Sequence, residues 1–410
     1  MEKRQNNAFN LSNQKLPNKD IHGSIAVPVY SGAAFEFDSA EEMEEAFLGR
    51  SGKHTYSRIS NPTVEAFEQK VQLISGAKNV LAVSSGMAAI SNVFMAIAYS
   101  GANIVTSPHL FGNTFSLFLF TLKAFGVEVR FCNLLDPEEV NKQIDEKTCG
   151  VFTEIITNPH LEVANLTALA RIAHNKHVPL IVDSTIIPWP TFNASDFDID
   201  IEIVSSTKYI SGGGTSIGGL ILDHENFDWL NSPRLHELAK SKGSKAFIHK
   251  LRSEIIRNTG AYMSPHTAYL QNLGLDTLSL RFEKSSHTCK KLAGYLQSVS
   301  GIESVNYTAL PDNPFFGISQ KQFGDYPGAM LTFCMKDQKQ CYLFMNKLKL
   351  IKRATNLFDN HSLIIHPSST IYGTLSEECK KMVDVPANLL RLSVGLEDFE
   401  NLKNDILQAL

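Results

Sequence analysis

From Pro62 to about residue 260, short apolar runs alternate with helical stretches, and this alternation constrains the fold more than any other feature. The runs at 79–84, 103–106, 127–131, 151–155, 180–183 and 201–205 read as strands. They are too continuously apolar to leave one face in water, so helices must cover both faces, which is the habit of parallel sheets. Stretches 86–99, 113–125 and 166–175 read as the intervening helices. A further helix opens the region. Asn61 can cap it, Pro62 stands where a missing N–H costs nothing, Val64, Phe67, Val71 and Ile74 form its apolar face, and Gly76 stops it. The expected fold class is therefore α/β, with a large, mostly parallel sheet.

The flanks differ. Residues 1–60 look irregular, with Pro17, Gly23, Pro28 and Gly32 around one short acidic helix at 38–45. Beyond 260, long helices are expected at 266–298 and a strand at 328–335. Leu390, Leu392 and Val394 alternate with Arg391, Ser393 and Gly395, and a last helix closes the chain. A length of 410 residues accommodates two or three domains and buries a core without disulfide or metal staples. The expected division is an N-terminal arm (1–60), a large α/β domain (61–260) and a smaller C-terminal α+β domain (261–410).

Several function classes drop out. Net charge is 38 − 42 = −4, against the basic surface that phosphate backbones require, so no nucleic-acid partner is expected. There is no apolar signal core near the start and no run long enough to span a bilayer, so no membrane partner is expected either. Cys132, Cys149, Cys289, Cys334, Cys341 and Cys379 show no C-x-x-C pairing and are expected as free thiols in a reducing cytoplasm. Among thirteen histidines, His174 and His177 have helical spacing without the carboxylate of a zinc helix, so no metal is expected and a solvated helix end is.

Chemistry concentrates at three strand ends. Lys208 stands in Ser205-Ser206-Thr207-Lys208-Tyr209, after the run ending at Val204, at the sheet edge where α/β folds bind ligands. A lysine there suits a Schiff base with an aldehyde cofactor, with Ser205 and Thr207 available to a phosphate. Asp183 ends the run 180–183, where a buried carboxylate needs a cation such as a protonated pyridine. Ser84-Ser85-Gly86-Met87-Ala88-Ala89 joins a strand to a helix and lets backbone N–H groups approach an anion. Each has a plainer reading alone: a solvated lysine, a capping aspartate, a simple turn. In this order they favour pyridoxal 5'-phosphate (PLP) over a nucleotide. Neither a Walker loop nor G-x-G-x-x-G is present, since Ile217 stands where 212–217 would need its last glycine. Tyr56 and Arg58 could grip a phosphate, and Arg391 could clamp a substrate carboxylate. Surface or interdomain ion pairs are the alternatives for those arginines.

From about Val27 onward the sequence resembles the Cys/Met-metabolism PLP-dependent enzymes, the cystathionine γ-synthase-like group of fold-type I. The likeness rests on Tyr56-Ser-Arg-Ile-Ser-Asn-Pro-Thr63, Ser84-Ser-Gly-Met-Ala-Ala-Ile90, Asn158-Pro159, Asp183, Ser205-Ser-Thr-Lys-Tyr209 and Arg391-Leu-Ser-Val-Gly-Leu-Glu397. The resemblance implies a fold-type I transferase in which Lys208 holds PLP, Asp183 pairs with its ring nitrogen, and Gly86, Met87, Ser205 and Thr207 hold its phosphate. It implies that Tyr56 and Arg58 reach the phosphate of a neighbouring subunit in a homo-oligomer, usually a tetramer. It assigns the substrate α-carboxylate to Asn158 and Arg391, with main-chain help near Ser362.

Within the family, Gly214-Thr-Ser-Ile-Gly-Gly219 and Phe227-Asp228-Trp229 resemble the subgroup that makes homocysteine from O-acetylhomoserine and sulfide. Asn113 stands where methionine γ-lyases carry a cysteine. The implied reaction is γ-replacement on an O-acylhomoserine by sulfide or a small thiol. A methionine γ-lyase, or a cystathionine γ-synthase or γ-lyase, remains the alternative. Two departures stand out. Phe111 occupies the place of a ring-stacking tyrosine, so any proton that phenol would handle falls to Lys208 or Tyr56. Asn356-Leu-Phe-Asp-Asn-His361 replaces a glycine-richer stretch on the substrate side.

Overall fold

A computed structural model gives the architecture and describes residue 10 and residues 20–410. The rest of the expected arm, 1–9 and 11–19, lies outside the described residues. A seven-stranded sheet contains β1 (Asn79–Val83), β2 (Asn103–Thr106), β3 (Glu128–Phe131), β4 (Thr148–Glu154), β5 (Leu180–Asp183), β6 (Ile201–Val204) and β7 (Gly219–Asp223), in the order β1-β7-β6-β5-β4-β2-β3. β7 runs antiparallel to both its neighbours, and every other pairing is parallel. β2, β4, β6 and β7 are buried along their whole length, as continuous apolar runs demand.

The apolar runs locate the strands to within a residue or two, apart from the start of β4, which begins three residues earlier than expected. β7 is the strand the sequence reading does not contain. It follows Gly212, Gly213 and Gly214, which take positive φ values of 77°, 130° and 67°. Glycine adopts these freely, so the chain reverses and returns between β6 and β1. The helix expected at 113–125 begins at Gly112 and widens after Ser116 into a π-helical turn, Leu117–Leu122.

Helix Pro62–Ser75 begins as expected. The Asn61 side chain accepts the Thr63 N–H at 2.9 Å, and Gly76 ends the helix at φ 75°. Leu166–Asn175, Pro265–Asp276 and Leu278–Leu296 are further helices. His174 is no free helix end, because its Nε2 meets the buried Asp200 carboxylate at 2.8 Å.

A second sheet holds β8 (Ser304–Asn306), β9 (Met330–Cys334), β10 (Lys352–Arg353), β11 (Leu363–Ile365) and β12 (Leu389–Ser393), in the order β10-β11-β12-β9-β8. β8, β10 and β11 have two or three residues each, too few to show a period. All six cysteines are free thiols, five of them buried. Among the described residues no helix is long and apolar enough to cross a membrane, and no cluster of His, Cys, Asp and Glu could hold a metal ion.

Candidate active site

Parallel register brings the chemistry together. β4 and β5 set Glu154 beside Asp183, and β5 and β6 set Asp183 beside Ile203, two residues before Ser205. The chain then turns, and Lys208 follows. Its neighbour Tyr209 is clamped: the ring stacks on Phe358 at 4.4 Å, the hydroxyl accepts the Ala329 N–H at 3.0 Å, and the carbonyl receives buried Arg281 at 2.6 Å. The lysine therefore projects from a fixed backbone. Its Nζ donates to Asn356 Oδ1 at 2.8 Å, and Asn356 is tied in turn to Asp359 at 3.1 Å. Burial, with the nearby Arg391 charge, pulls the Lys208 amine down to about 8. An amine this close to neutrality is available as nucleophile and base.

Asp183 is half-buried, yet protein surrounds it closely enough that its carboxyl is raised above the usual range. The Thr185 N–H is its short bond, at 2.9 Å, and no cation is bonded to it among the described residues. At the other side, Arg391 is 1% exposed. Its guanidinium donates to Asn158 Oδ1 at 3.1 Å and to the carbonyls of Thr355 and Asn356 at 3.2 and 3.3 Å, while Nε has no partner. Burial lowers its pKa to about 10. An aspartate lacking a cation and an arginine lacking a carboxylate are complementary demands on a ligand.

The third demand is anionic. Ser85 caps helix Gly86–Ile97 by accepting the Ala88 N–H at 3.0 Å. The N–H groups of Gly86 and Met87 have no acceptor among the described residues. A Cβ on Gly86 would lie 2.8 Å from the Ser205 Cβ, and Gly219 has no room for one against the Ser85 carbonyl. Glycine is therefore required for this helix start to approach the Ser205 turn. Thr207 Oγ1 bridges the carbonyl and N–H of Gly218 at 3.1 and 3.0 Å.

The remaining expected residues divide. Phe111 and Asn158 lie beside the cluster, and both donate backbone N–H groups to Glu154, at 2.7 and 3.0 Å. Tyr56 and Arg58 do not join the cluster of their own chain. Tyr56 is exposed, Arg58 lies over its ring at 5.4 Å, and Arg58 donates to the Arg257 carbonyl. Ser362 is fully buried, with its N–H and hydroxyl both given to Glu397, at 2.8 and 2.7 Å. Sequence reasoning missed Glu154 and Tyr372, and it placed the 356–361 stretch on the substrate side without giving Asn356 its contact with Lys208. Glu154 stands in an apolar run, as Asp183 does, so the argument applied to one strand-end carboxylate could have found the other. Tyr372 carries no such signal.

A near-neutral lysine, an aspartate needing a cation, a helix start offering free N–H groups and a flanking aromatic ring fit the aldehyde, ring nitrogen, phosphate and ring of PLP. Fold and site thus define a fold-type I, PLP-dependent enzyme. The family profile of Cys/Met metabolism PLP-dependent enzymes matches residues 10–410, and the chain belongs to that family. It is 37% identical to O-acetyl-L-homoserine sulfhydrylase 1 of Thermus thermophilus, over 94% of this chain and 95% of that one. It is 34% identical to the O-acetyl-L-homoserine sulfhydrylase of Corynebacterium glutamicum, over 93% and 91%. Among solved structures, a putative O-acetylhomoserine (thiol)-lyase of Campylobacter jejuni superposes with a TM-score of 0.91 at 30% identity, over 98% of this chain and 99% of that one. That crystal carries a pyridoxyl-lysine monophosphate. An O-acetylhomoserine sulfhydrylase structure from Wolinella succinogenes gives 0.77 at 44% identity, over 86% and 99%.

Proposed function

We propose that this enzyme catalyses γ-replacement, converting O-acetyl-L-homoserine and sulfide, or a small thiol, to L-homocysteine or its thioether and acetate. The observation that carries the reading is the pairing of a near-neutral Lys208 with a buried Arg391 that has no carboxylate of its own. The names of the relatives supply the acyl group and the sulfur donor.

PLP, held by Lys208, Asp183, Gly86, Met87, Ser205 and Thr207, supplies the electron sink that makes the α- and β-hydrogens of an amino acid acidic. The chain does the rest. Arg391 and Asn158 bind the substrate α-carboxylate, which relieves the unmatched guanidinium and orients Cα toward the lysine. Nζ of Lys208 takes and returns the protons at Cα and Cβ. Phe111 stacks without exchanging a proton, so Lys208 carries that work, helped by Tyr56 of a neighbouring subunit. Asn356 receives Nζ between transfers.

The placement of exposed Tyr56 and half-buried Arg58 outside the cluster of their own chain supports an assembly in which they complete a neighbour's phosphate site. We take this assembly to be a homotetramer of paired dimers. Free cysteines support a reducing, cytoplasmic setting. The two sheets support an arm of residues 1–60, a cofactor domain of 61–260 and a C-terminal domain of 261–410.

The test mixes purified holoenzyme with O-acetylhomoserine, with and without sulfide, and assays homocysteine and α-ketobutyrate. Homocysteine that appears only with sulfide, with little ketoacid, is expected. Lys208→Ala should lower turnover by at least about 10³-fold. Abundant ketoacid without sulfide would move the assignment to a γ-lyase, and appreciable replacement by Lys208→Ala would remove Lys208 from its role.

A further inference from the structure

Glu154 holds together two loops that serve different ends of the site. It closes β4 beside Asp183 and is 7% exposed. Oε1 accepts the N–H of Phe111, on the loop leaving β2, at 2.7 Å. Oε2 accepts the N–H of Asn158, on the loop leaving β4, at 3.0 Å. The same two loops are bridged again by Tyr372, whose phenol lies 2.9 Å from the Leu110 carbonyl and 3.0 Å from the Asn158 carbonyl. Gly112 has no room for a Cβ, which would sit 2.9 Å from the Ile371 carbonyl oxygen. The Phe111 loop is thus pressed onto the Tyr372 segment.

This bracing bears directly on the site. The Phe111 ring has no hydrogen-bonding group, so hydrogen bonds can fix it only through its backbone. Its N–H goes to Glu154 and its carbonyl to the Phe115 N–H at 3.0 Å. Asn158 carries the amide that meets Arg391. Glu154 sits where a carboxylate is unwelcome: burial, and the Asp183 charge beside it, push its carboxyl up to about 8. Packing alone would favour an apolar side chain there. Its two acceptor oxygens are what an apolar residue could not supply.

We infer that Glu154 is a positioning residue, which sets the stacking ring of Phe111 and the carboxylate-binding amide of Asn158 relative to each other and so couples cofactor seating to substrate grip. The substrate half of this inference rests on the proposed reaction; the cofactor half does not.

Holoenzyme carrying Glu154→Gln tests it. The Gln amide keeps one acceptor and turns an NH₂ toward the other N–H. Without substrate, the visible circular dichroism of the bound cofactor and its dissociation constant are measured; with O-acetylhomoserine, KM and kcat. The dichroic band should change shape, cofactor should bind on the order of tenfold more weakly, and KM should rise on the order of tenfold, the cost of leaving one buried N–H without an acceptor. The fall in kcat should be smaller. A lowered melting temperature with wild-type dichroism, cofactor affinity and KM would mean a purely structural acid and overturn the inference. Should Glu154→Gln not fold, Tyr372→Phe removes the second bridge while keeping the ring. It must move dichroism and KM in the same direction, and wild-type values there overturn the inference equally. The substrate-free arms separate this from the reaction itself. A wild-type enzyme inert toward O-acetylhomoserine would count against the reaction while leaving dichroism and affinity to judge Glu154.

Discussion

The two edges of the large sheet both bury carboxylates, and they treat them differently. Toward the edge where β5 and β6 begin, Asp200 is matched by His174 at 2.8 Å and by the Leu180 N–H at 2.7 Å. Glu202 meets His224 at 3.3 Å, the Trp189 N–H at 3.0 Å and the Ser184 hydroxyl. Asp223 is pushed by burial up to about 7, with no bonded cation and no lysine or arginine among the charges acting on it, so among the described residues no unmatched cation stands beside it. At the opposite edge Glu154 receives backbone N–H groups alone and Asp183 is bonded by Thr185, so among the described residues neither has a cation bonded to it. The nearby cations, Lys208 and Arg391, are turned to Asn356 and Asn158. Acids balanced within the chain are scaffold. Acids left unbalanced beside unbalanced cations mark the place where a ligand completes the electrostatics.

The sharpest way to break this comparison is to neutralise one acid at the unbalanced edge. Asp183→Asn removes the proposed partner of the cofactor's ring nitrogen. Removing one member of a buried ion pair costs about 3–5 kcal/mol, or roughly 10²–10⁴-fold in kcat/KM for homocysteine formation. The melting temperature of the cofactor-free protein should fall little, because no cation of the chain is bonded to this aspartate. A variant that keeps kcat/KM within about threefold while losing stability would make Asp183 scaffold after all.

Much of this edge was legible in the sequence, because apolar runs that end in a charged or small polar residue identify both the strand and its exit. Asp183 and Lys208 were found that way, and Gly86 by the strand-to-helix junction. Glu154 was missed although it obeys the same rule, since its run was read one residue too far, to Ile155. Tyr372, and Asn356 as a contact of Lys208, were beyond reach for a different reason. They enter through loops at 354–361 and 366–373, with no period, and only tertiary packing onto the strand ends gives them partners. β7 was hidden by the glycines before it, which read as a loop until the reversal they allow is seen. His174 read as solvated because Asp200, its partner, is 26 residues away.

A smaller effect sharpens the comparison through pH. If Lys208 holds the cofactor as proposed, it must be a neutral amine in the cofactor-free enzyme to recapture PLP. An ordinary lysine near 10.5 would let the recapture rate climb through the whole alkaline range. With its pKa drawn down to about 8 by burial and by Arg391, the amine is protonated below that point and neutral above it. The rate, followed by the visible absorbance of the bound cofactor, should rise with pH and level off just above 8. A rate still climbing at pH 9.5 would mean that the unbalanced edge does not hold its lysine near neutrality.

The smallest effect belongs to the balanced edge. His174 is raised above 6.5 by its hydrogen bond to Asp200, an effect that outweighs its own partial burial. A base with a raised folded pKa contributes stability that is fully present below its unfolded pKa and lost as pH rises through the folded one. His174→Gln keeps a donor for the carboxylate and removes the charge. The melting temperature of the wild type should therefore exceed that of the variant at pH 6, and the gap should close by pH 9. The side chain is 32% exposed, so solvent screening holds the pair to no more than about 1 kcal/mol, a shift of about one or two degrees. Homocysteine formation should be unchanged at every pH where both proteins are folded. A His174→Gln enzyme with altered KM would mean that the two edges communicate through β5, and that the balanced acids are not scaffold alone.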